Sequence, residues 1–497
     1  MYVEPARDGS VWRRGGHASK ESVSGKVASP VEGNSLSQRE MVNLAIVLAM
    51  VPTTAGTARG LVVPGLRLSE VLVLIAGAWC LARFGRRLKL SGGVTVIVFG
   101  FVALSLVYGL VSLVKRSDVP VSTIAQQSVG VAQYLIIFVV AFNFAQSEAF
   151  VRMFIVALIC VAGVVGFVAV LQLLRYQPSL ELGTMLTGNP KITNPPAWKV
   201  PRGTGVFASW HALGGYLALT LIVGISYVTS PVPSVRRDRW LWLPLCGVAA
   251  GLLASLTFIV VAIGFIGVAA VAVYRKLAVK LLLGAVVGAS VLLVSPLGSG
   301  FTRRAAEQQD DSALPETIAY RVDAWVRDFI PAISENLWTG YGPTLPSDAM
   351  FPYYESMYIE TLMRGGIPLT VCLLILGWAV LNAAIAGVRK EPATVRGAIV
   401  APATVVILPL LFCGMLIHPY LSDAGVSQLF FILIACCAVA SNRGSTRQDH
   451  HRAAGARDKY ALHDRRISPP SGYVWDPDNS GTERRGPSLG SAPHEGS

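Results

Sequence analysis

The stretch "YYESMYIETLMRGGIP", residues 353–368, sets Glu355, Glu360 and Arg364 directly against "LTVCLLILGWAVL", residues 369–381, a run without a single charge. Such a run suits the inside of a bilayer, and charges crowded at its mouth mark a functional site by default. The composition agrees, with 53% of the 497 residues apolar and 14% charged, where a soluble globular chain carries about 25% charge. The chain reads as a polytopic membrane protein.

Working outward from that helix, apolar runs of roughly 17 to 25 residues, enough to cross a bilayer, recur near 41–57, 66–82, 93–114, 123–144, 153–174, 206–228, 241–255, 257–273, 278–296, 365–388, 398–417 and 424–441. The seventh and eighth share one run, "LWLPLCGVAAGLLASLTFIVVAIGFIGVAAVAV", which is long for a single helix and is split at Ser255-Leu256-Thr257. The expected fold is therefore all-α, with about twelve transmembrane helices. Lys and Arg in short loops stay on the cytoplasmic side. The segments "RFGRRLK" (83–89), "VRRDR" (235–239), "YRKLAVK" (274–280) and "RKEPATVR" (389–396) fall on one side when twelve spans are counted. Both termini are then cytoplasmic, and two long segments, 175–205 and 297–364, lie outside, the second between spans nine and ten.

Residues 1–40 mix charges with Gly, Ser and Pro and lack the short apolar core of a signal peptide, so the first span doubles as the insertion signal. Residues 443–497 are again polar and aperiodic. Both are read as disordered cytoplasmic tails, flanking a transmembrane domain over 41–442. The formal charge of +13 is spread through loops and tails without a basic helix, which excludes a nucleic-acid footprint. The seven cysteines fall within apolar segments, with neither metal-ligand nor disulfide spacing.

On the outer face the sequence departs from the insertion rule, because Arg202, Arg303, Arg304, Arg321 and Arg327 sit near the membrane where nothing about topology rewards them. Some of them can pair with Asp310, Asp311, Asp323 or Asp328, and Arg303, Arg304 and Arg327 are read mainly so. Arg202 is better placed. In "KVPRGTGVFASWHALGGYLALTL" an arginine and two glycines precede a spanning helix, so the guanidinium and the first-turn N–H groups suit an anion. Gly203 and Gly205 permit close backbone approach. His211, about two turns further on, reads as a packed, hydrogen-bonded histidine before a catalyst. Glu360 and Arg364, at i and i+4 with the acid first, suit a helical ion pair. Asp310-Asp311 reads as solvated acids, and no metal or cofactor is called for. A phosphate-binding Gly-Lys-Ser/Thr loop is absent from the sequence.

The segment "RGTGVFASWHALGGYLAL", followed by "YRVDAW" with Arg321 and Trp325, then "ENLWTGYGP", then "ESMYIETLMRGGIPL", resembles in order and spacing the O-antigen ligase/polymerase family of bacterial membrane glycosyltransferases. With the hydropathy plan, the similarity spans roughly 41–440. The resemblance implies a lipid-sugar-using, GT-C-like helical architecture with an outward-facing cavity beside the long loop. It also implies transfer or polymerisation of glycans carried on a polyprenyl diphosphate such as undecaprenyl diphosphate, for cell-envelope polysaccharide biosynthesis at the bacterial plasma membrane. Donor lipid, a glycan or surface acceptor, the bilayer and other polysaccharide assembly proteins are the partners it suggests, and nucleic acid is not among them.

Arg202 and Arg321 match family arginines by position, and arginine suits a departing diphosphate. Glu355 is the candidate base, since a partly desolvated carboxylate beside the membrane is raised toward a useful pKa. Arg303, Arg304, His211 and Glu360 are further candidates. Two positions depart from the family. Ligases acting on a lipid A core place a histidine where this chain has Glu355, which tilts the reading toward a polysaccharide polymerase over an O-antigen ligase. In "LLASLTFIVVAIG" the family often carries an arginine after the serine, and this chain has Leu256-Thr257. A lipid-linked sugar flippase or other secondary transporter is the rival class and a non-enzymatic scaffold a third, but transporters concentrate polarity at the midplane, whereas here the charges gather on one face.

Overall fold

The computed structural model describes residues 37–115, 120–195, 201–277, 316–342 and 353–442. Arg303, Arg304, Asp310, the ninth expected span, residues 1–36 of the N-terminal tail and the whole C-terminal tail lie outside them. Every regular element among the described residues is helical: α1 (Gln38–Thr54), α2 (Leu68–Phe84), α3 (Gly93–Lys115), α4 (Val121–Phe144), α5 (Glu148–Leu173), α6 (Gln177–Thr187), α7 (Trp210–Val228), α8 (Trp242–Ala254) and α9 (Phe258–Tyr274). Then come α10 (Glu316–Ala324), a π turn Trp325–Phe329, α11 (Ile330–Glu335), α12 (Met357–Lys390), a π turn Arg396–Val400, α13 (Ala401–Gly414) and a last apolar helix, α14 (Val426–Asn442).

Among the described residues, five helices are long and apolar enough to cross a membrane: Gly93–Lys115, Glu148–Leu173, Trp210–Val228, Met357–Lys390 and Arg396–Gly414. Gly130–Phe144, Phe258–Tyr274 and Val426–Asn442 are apolar but shorter. This is a helical membrane protein. The expected break at Ser255-Leu256-Thr257 is present: α8 ends at Ala254, α9 begins at Phe258, and Leu256 takes φ +46°. The bundle is built around α7, 89% of whose most apolar window is buried, against 28% for α3. A helix apolar all round and buried all round is a core helix, whereas α3 turns Val96, Val107 and Leu110 outward as a lipid-facing helix must. Small residues let α5 and α8 meet closely: a Cβ on Gly166 would stand 2.2 Å from the Gly247 carbonyl oxygen.

Hydrogen bonds and ion pairs divide the polar segments into two ends. At one, Lys89 N–H donates to Asn143 Oδ1 (2.9 Å), Asn442 Nδ2 to the Ser91 carbonyl (2.7 Å) and Arg152 to Asp238 (2.8 and 2.9 Å). Arg396, 1% exposed, meets Glu148 at 2.5 Å and Glu391 at 3.1 Å there. Arg275 donates to the Ala398 carbonyl at the same end. The described parts of the four basic loops thus share one end, as their charge pattern requires. Buried charges are tolerated because each is paired.

The opposite end gathers the loop before α7, residues 316–342, the start of α12 and the 415–425 turn. Here α12 is broken. Gly365 (φ −154°, ψ 20°) and Gly366 (φ 63°, ψ −160°) leave the helical region. The "LWTGYG" segment, residues 337–342, fills the break: Tyr341 and Gly342 N–H donate to the Met363 carbonyl (2.6 and 2.9 Å) and Ile367 N–H donates to the Leu337 carbonyl (2.9 Å). A Cβ on Gly366 would fall 2.3 Å from that Leu337 oxygen. Gly366→Ala is therefore expected to cost about 3 kcal/mol or more, through strain and collision together. Gly100→Ala in α3, where a Cβ meets nothing within 4 Å, serves as a near-neutral control. Equal unfolding temperatures for the two purified variants would refute this account of the break.

Candidate active site

Arg321 and Trp325 are four residues apart, so α10 and its π turn present them on one face. Trp325 Nε1 donates to the Tyr354 carbonyl at 3.1 Å, and Arg321 Nε lies 3.2 Å from Glu355 Oε2, with the two side chains 14% and 18% exposed. The candidate base and a candidate diphosphate ligand are therefore in contact. Glu355 has φ +55°, a left-handed conformation that costs a non-glycine residue of order 1 to 3 kcal/mol and persists only when neighbours impose it. The neighbours are identifiable: Ser356 Oγ and Met357 N–H both donate to the Met415 carbonyl (3.2 and 2.9 Å). The chain is pinned on each side of Glu355 by Trp325 and by the 415–425 turn. Burial, and then the Glu355 charge, push the nearby Tyr320 phenol above its ordinary range.

Glu360 and Arg364 form the expected ion pair at 2.5 Å in the last two turns before the glycine break. Glu360 is buried at 1% exposure and also accepts from Ser422 Oγ at 2.6 Å, ties that hold the helix mouth to the 415–425 turn. Arg327 pairs with Asp323 at 2.6 Å, well exposed, as the reading that it meets a nearby acid anticipates.

The loop carrying Arg202 is clamped by a buried glutamine. Gln172 Oε1 accepts from Thr204 and Gly205 N–H (2.9 and 2.8 Å), while Gly203 N–H donates to the Ala254 carbonyl (2.9 Å). Gly203 could not carry a side chain, since its Cβ would stand 2.5 Å from the Ala169 carbonyl oxygen, and Gly205 takes φ +58°. Because these residues are spent on turns, α7 starts at Trp210, later than the hydropathy suggests. Ser209 caps it, accepting from Ala212 N–H at 3.1 Å, so one of the first-turn donors expected to face an anion is already used. Arg202 lies over the Trp210 ring, 4.5 Å from its centroid, a cation–π contact that anchors the guanidinium.

His211 stacks on a residue that the sequence reading passed over. Its ring lies 4.2 Å from that of His418, nearly parallel at 18°, and His418 Nε2 lies 2.9 Å from Asp423 Oδ2. Tyr420, with its ring 4.8 Å from His418, links this group to the first: burial and the Asp423 charge push its phenol up, and Arg321 pulls it down. The missed signal was the polar break "LIHPYLSDAG", residues 416–425, on the same face as Arg202. Arg59 and Arg67 in "ARGLVVPGLRLSE", residues 58–70, were equally out of place under the insertion rule. They line a cavity of about 370 Å³ together with Arg364 and Glu70.

No curated relative matches the chain. A family model described as O-antigen ligase matches residues 240–374, from the turn before α8 past the break in α12. That match includes Arg321, Glu355, Glu360 and Arg364, and leaves Arg202, His211 and His418 outside. Residues 240–374, the segment in which Arg321 meets Glu355, are thus similar to the O-antigen ligase family.

Proposed function

We propose that the protein is a glycosyltransferase that takes glycan from a polyprenyl diphosphate lipid at the extracytoplasmic face of a bacterial plasma membrane, and that it polymerises surface-polysaccharide repeat units. The observation carrying this reading is the Arg321–Glu355 contact within the O-antigen ligase segment. In the reaction, an acceptor hydroxyl attacks the anomeric carbon of the donor sugar, its proton passes to the Glu355 carboxylate, and the bond to the diphosphate oxygen breaks with its electron pair on the leaving group. A guanidinium offers five donors in a planar fork. Arg321 can therefore hold Glu355 by its charge, 3.2 Å away, and serve the charge that develops on the departing diphosphate. Arg202, held over Trp210, is the second donor-binding cation. Glu360 and Arg364 take the structural role of holding the helix mouth, and His211 backs His418.

A polymerase is favoured over a ligase because Glu355 stands where the lipid A core ligases of the resemblance carry histidine. Deletion of the gene in its host is the test. Accumulation of lipid-linked single repeat units supports polymerisation. Long polymer left unattached would instead mean a ligase, and repeat units retained on the cytoplasmic leaflet a flippase.

A further inference from the structure

Arg59 and Arg67 from the α1–α2 loop and Arg364 from the first segment of α12 face one cavity of about 370 Å³. The reaction proposed above uses none of them. Glu70 is the one carboxylate among the lining residues, and it is engaged: its Oε1 lies 3.4 Å from Arg59 and its Oε2 accepts from Arg67 N–H at 3.0 Å. Arg364 Nε and Gln133 Oε1 are buried at the cavity with no hydrogen-bond partner among the described residues. A buried donor left unmet is costly unless a guest supplies the acceptor. Arg364 is also paired with Glu360 at 2.5 Å, so three guanidiniums meet two carboxylates, and the one positive charge left over favours an anionic guest, for which guanidinium forks suit a planar carboxylate.

Two features select a sugar over a bare phosphate. The lining also offers amide, hydroxyl and aromatic groups, among them Gln133, Ser105, Gln428 and Tyr134, the groups that hydrogen-bond sugar hydroxyls and cover a sugar ring. The volume falls in the range of small-molecule sites, about 300 to 1,000 Å³, where a diphosphate alone would leave much of the wall unused. The cavity also adjoins the candidate site. Met357, on its wall, is two residues from Glu355, and Ser422, also on its wall, bonds Glu360 and precedes Asp423.

We infer that this cavity is the subsite for an acidic sugar, a uronic acid residue of the acceptor glycan next to the hydroxyl that attacks. The inference rests on the glycan-transfer reading and narrows it to acidic polysaccharides. The probe is methyl glucuronide, with methyl glucoside as its uncharged counterpart, bound to the full-length protein in lipid nanodiscs and followed by saturation-transfer NMR. The glucuronide should bind at least about tenfold more tightly than the glucoside, a difference of the size expected for one charged hydrogen-bonded contact. Arg67→Gln should remove that preference, and Ser105→Leu, which fills the cavity without altering a charge, should abolish binding of both. Retained binding of a polyprenyl diphosphate lipid by both variants shows that they are folded. Equal affinity for the two glycosides, or an unchanged preference in Arg67→Gln, overturns the inference. So does inorganic pyrophosphate binding that Arg67→Gln removes and Arg321→Ala does not, since the cavity would then be a phosphate site. Wild-type protein that binds the glucuronide but no polyprenyl diphosphate lipid would sink the glycan-transfer reading and leave the acidic-sugar subsite standing.

Discussion

Arg321→Ala is expected to abolish polymer formation at normal protein level, with turnover down by about 10² to 10³, the loss typical of removing one preorganised donor from developing negative charge. The same change strips Glu355 of its partner at 3.2 Å, so the carboxylate loses its orientation along with the donor lipid losing a ligand. Arg321→Lys keeps the charge but not the fork, and should recover only a small part of the activity. Arg327→Ala, six residues on, removes an exposed pair with Asp323 and should change stability and turnover little. Measuring polymer formation by all three purified variants tests the assignment. Full activity in Arg321→Ala would remove it from the site, whereas equal losses at Arg321 and Arg327 would mean that α10 is merely a structural cap.

Glu355→Gln should lower turnover by roughly 10² to 10⁴, the range for loss of general acid–base catalysis, with donor binding largely intact. Glutamine keeps the shape and can still accept a hydrogen bond from Arg321, so a stability effect is small and separable from a chemical one. The geometry names the competitor. His418 and Asp423, 2.9 Å apart, form a histidine–carboxylate pair of the kind that serves as a base elsewhere. Near-normal turnover in Glu355→Gln with a deep loss in His418→Gln would move the base to that pair and make the strained backbone at Glu355 a positioning device for Arg321.

The parts of this arrangement that were legible in the sequence are those set by local pattern. The break between α8 and α9 followed from a run too long for one helix, and the Glu360–Arg364 pair from spacing and order alone. The division of basic segments to one end followed from charge counting in short loops. Arg202 and Arg321 were visible because charge near a membrane needs a reason. What was not legible depends on contacts between distant segments. Nothing in "LWTGYG" says that its carbonyls and N–H groups complete a gap in a helix some 25 residues later, and nothing in "YYES" says that Glu355 takes a positive φ. His418 and Asp423 drew no attention because a short polar turn between two apolar helices looks the same whether it caps a bundle or meets a histidine from another helix. The cavity was invisible for a related reason: Arg59, Arg67 and Arg364 become neighbours only once α2, α3, α4 and α12 have packed.

The interrupted helix α12 also bears on how the protein answers to its lipid. A span whose apolar length differs from the local bilayer thickness adjusts by tilting. In an unbroken helix that tilt would swing Glu360 and Arg364, and with them the turn that holds Glu355. Here the residues before Gly365 are fastened to the 415–425 turn and to the 337–342 segment, and the residues after Gly366 are free of helical continuity with them. The gap is bridged, because the 337–342 segment bonds Met363 before the glycine pair and Ile367 after it. Tilt of the membrane-buried part therefore reaches Glu360 and Arg364 through the glycine backbone and those few hydrogen bonds, and not through a continuous helical ladder.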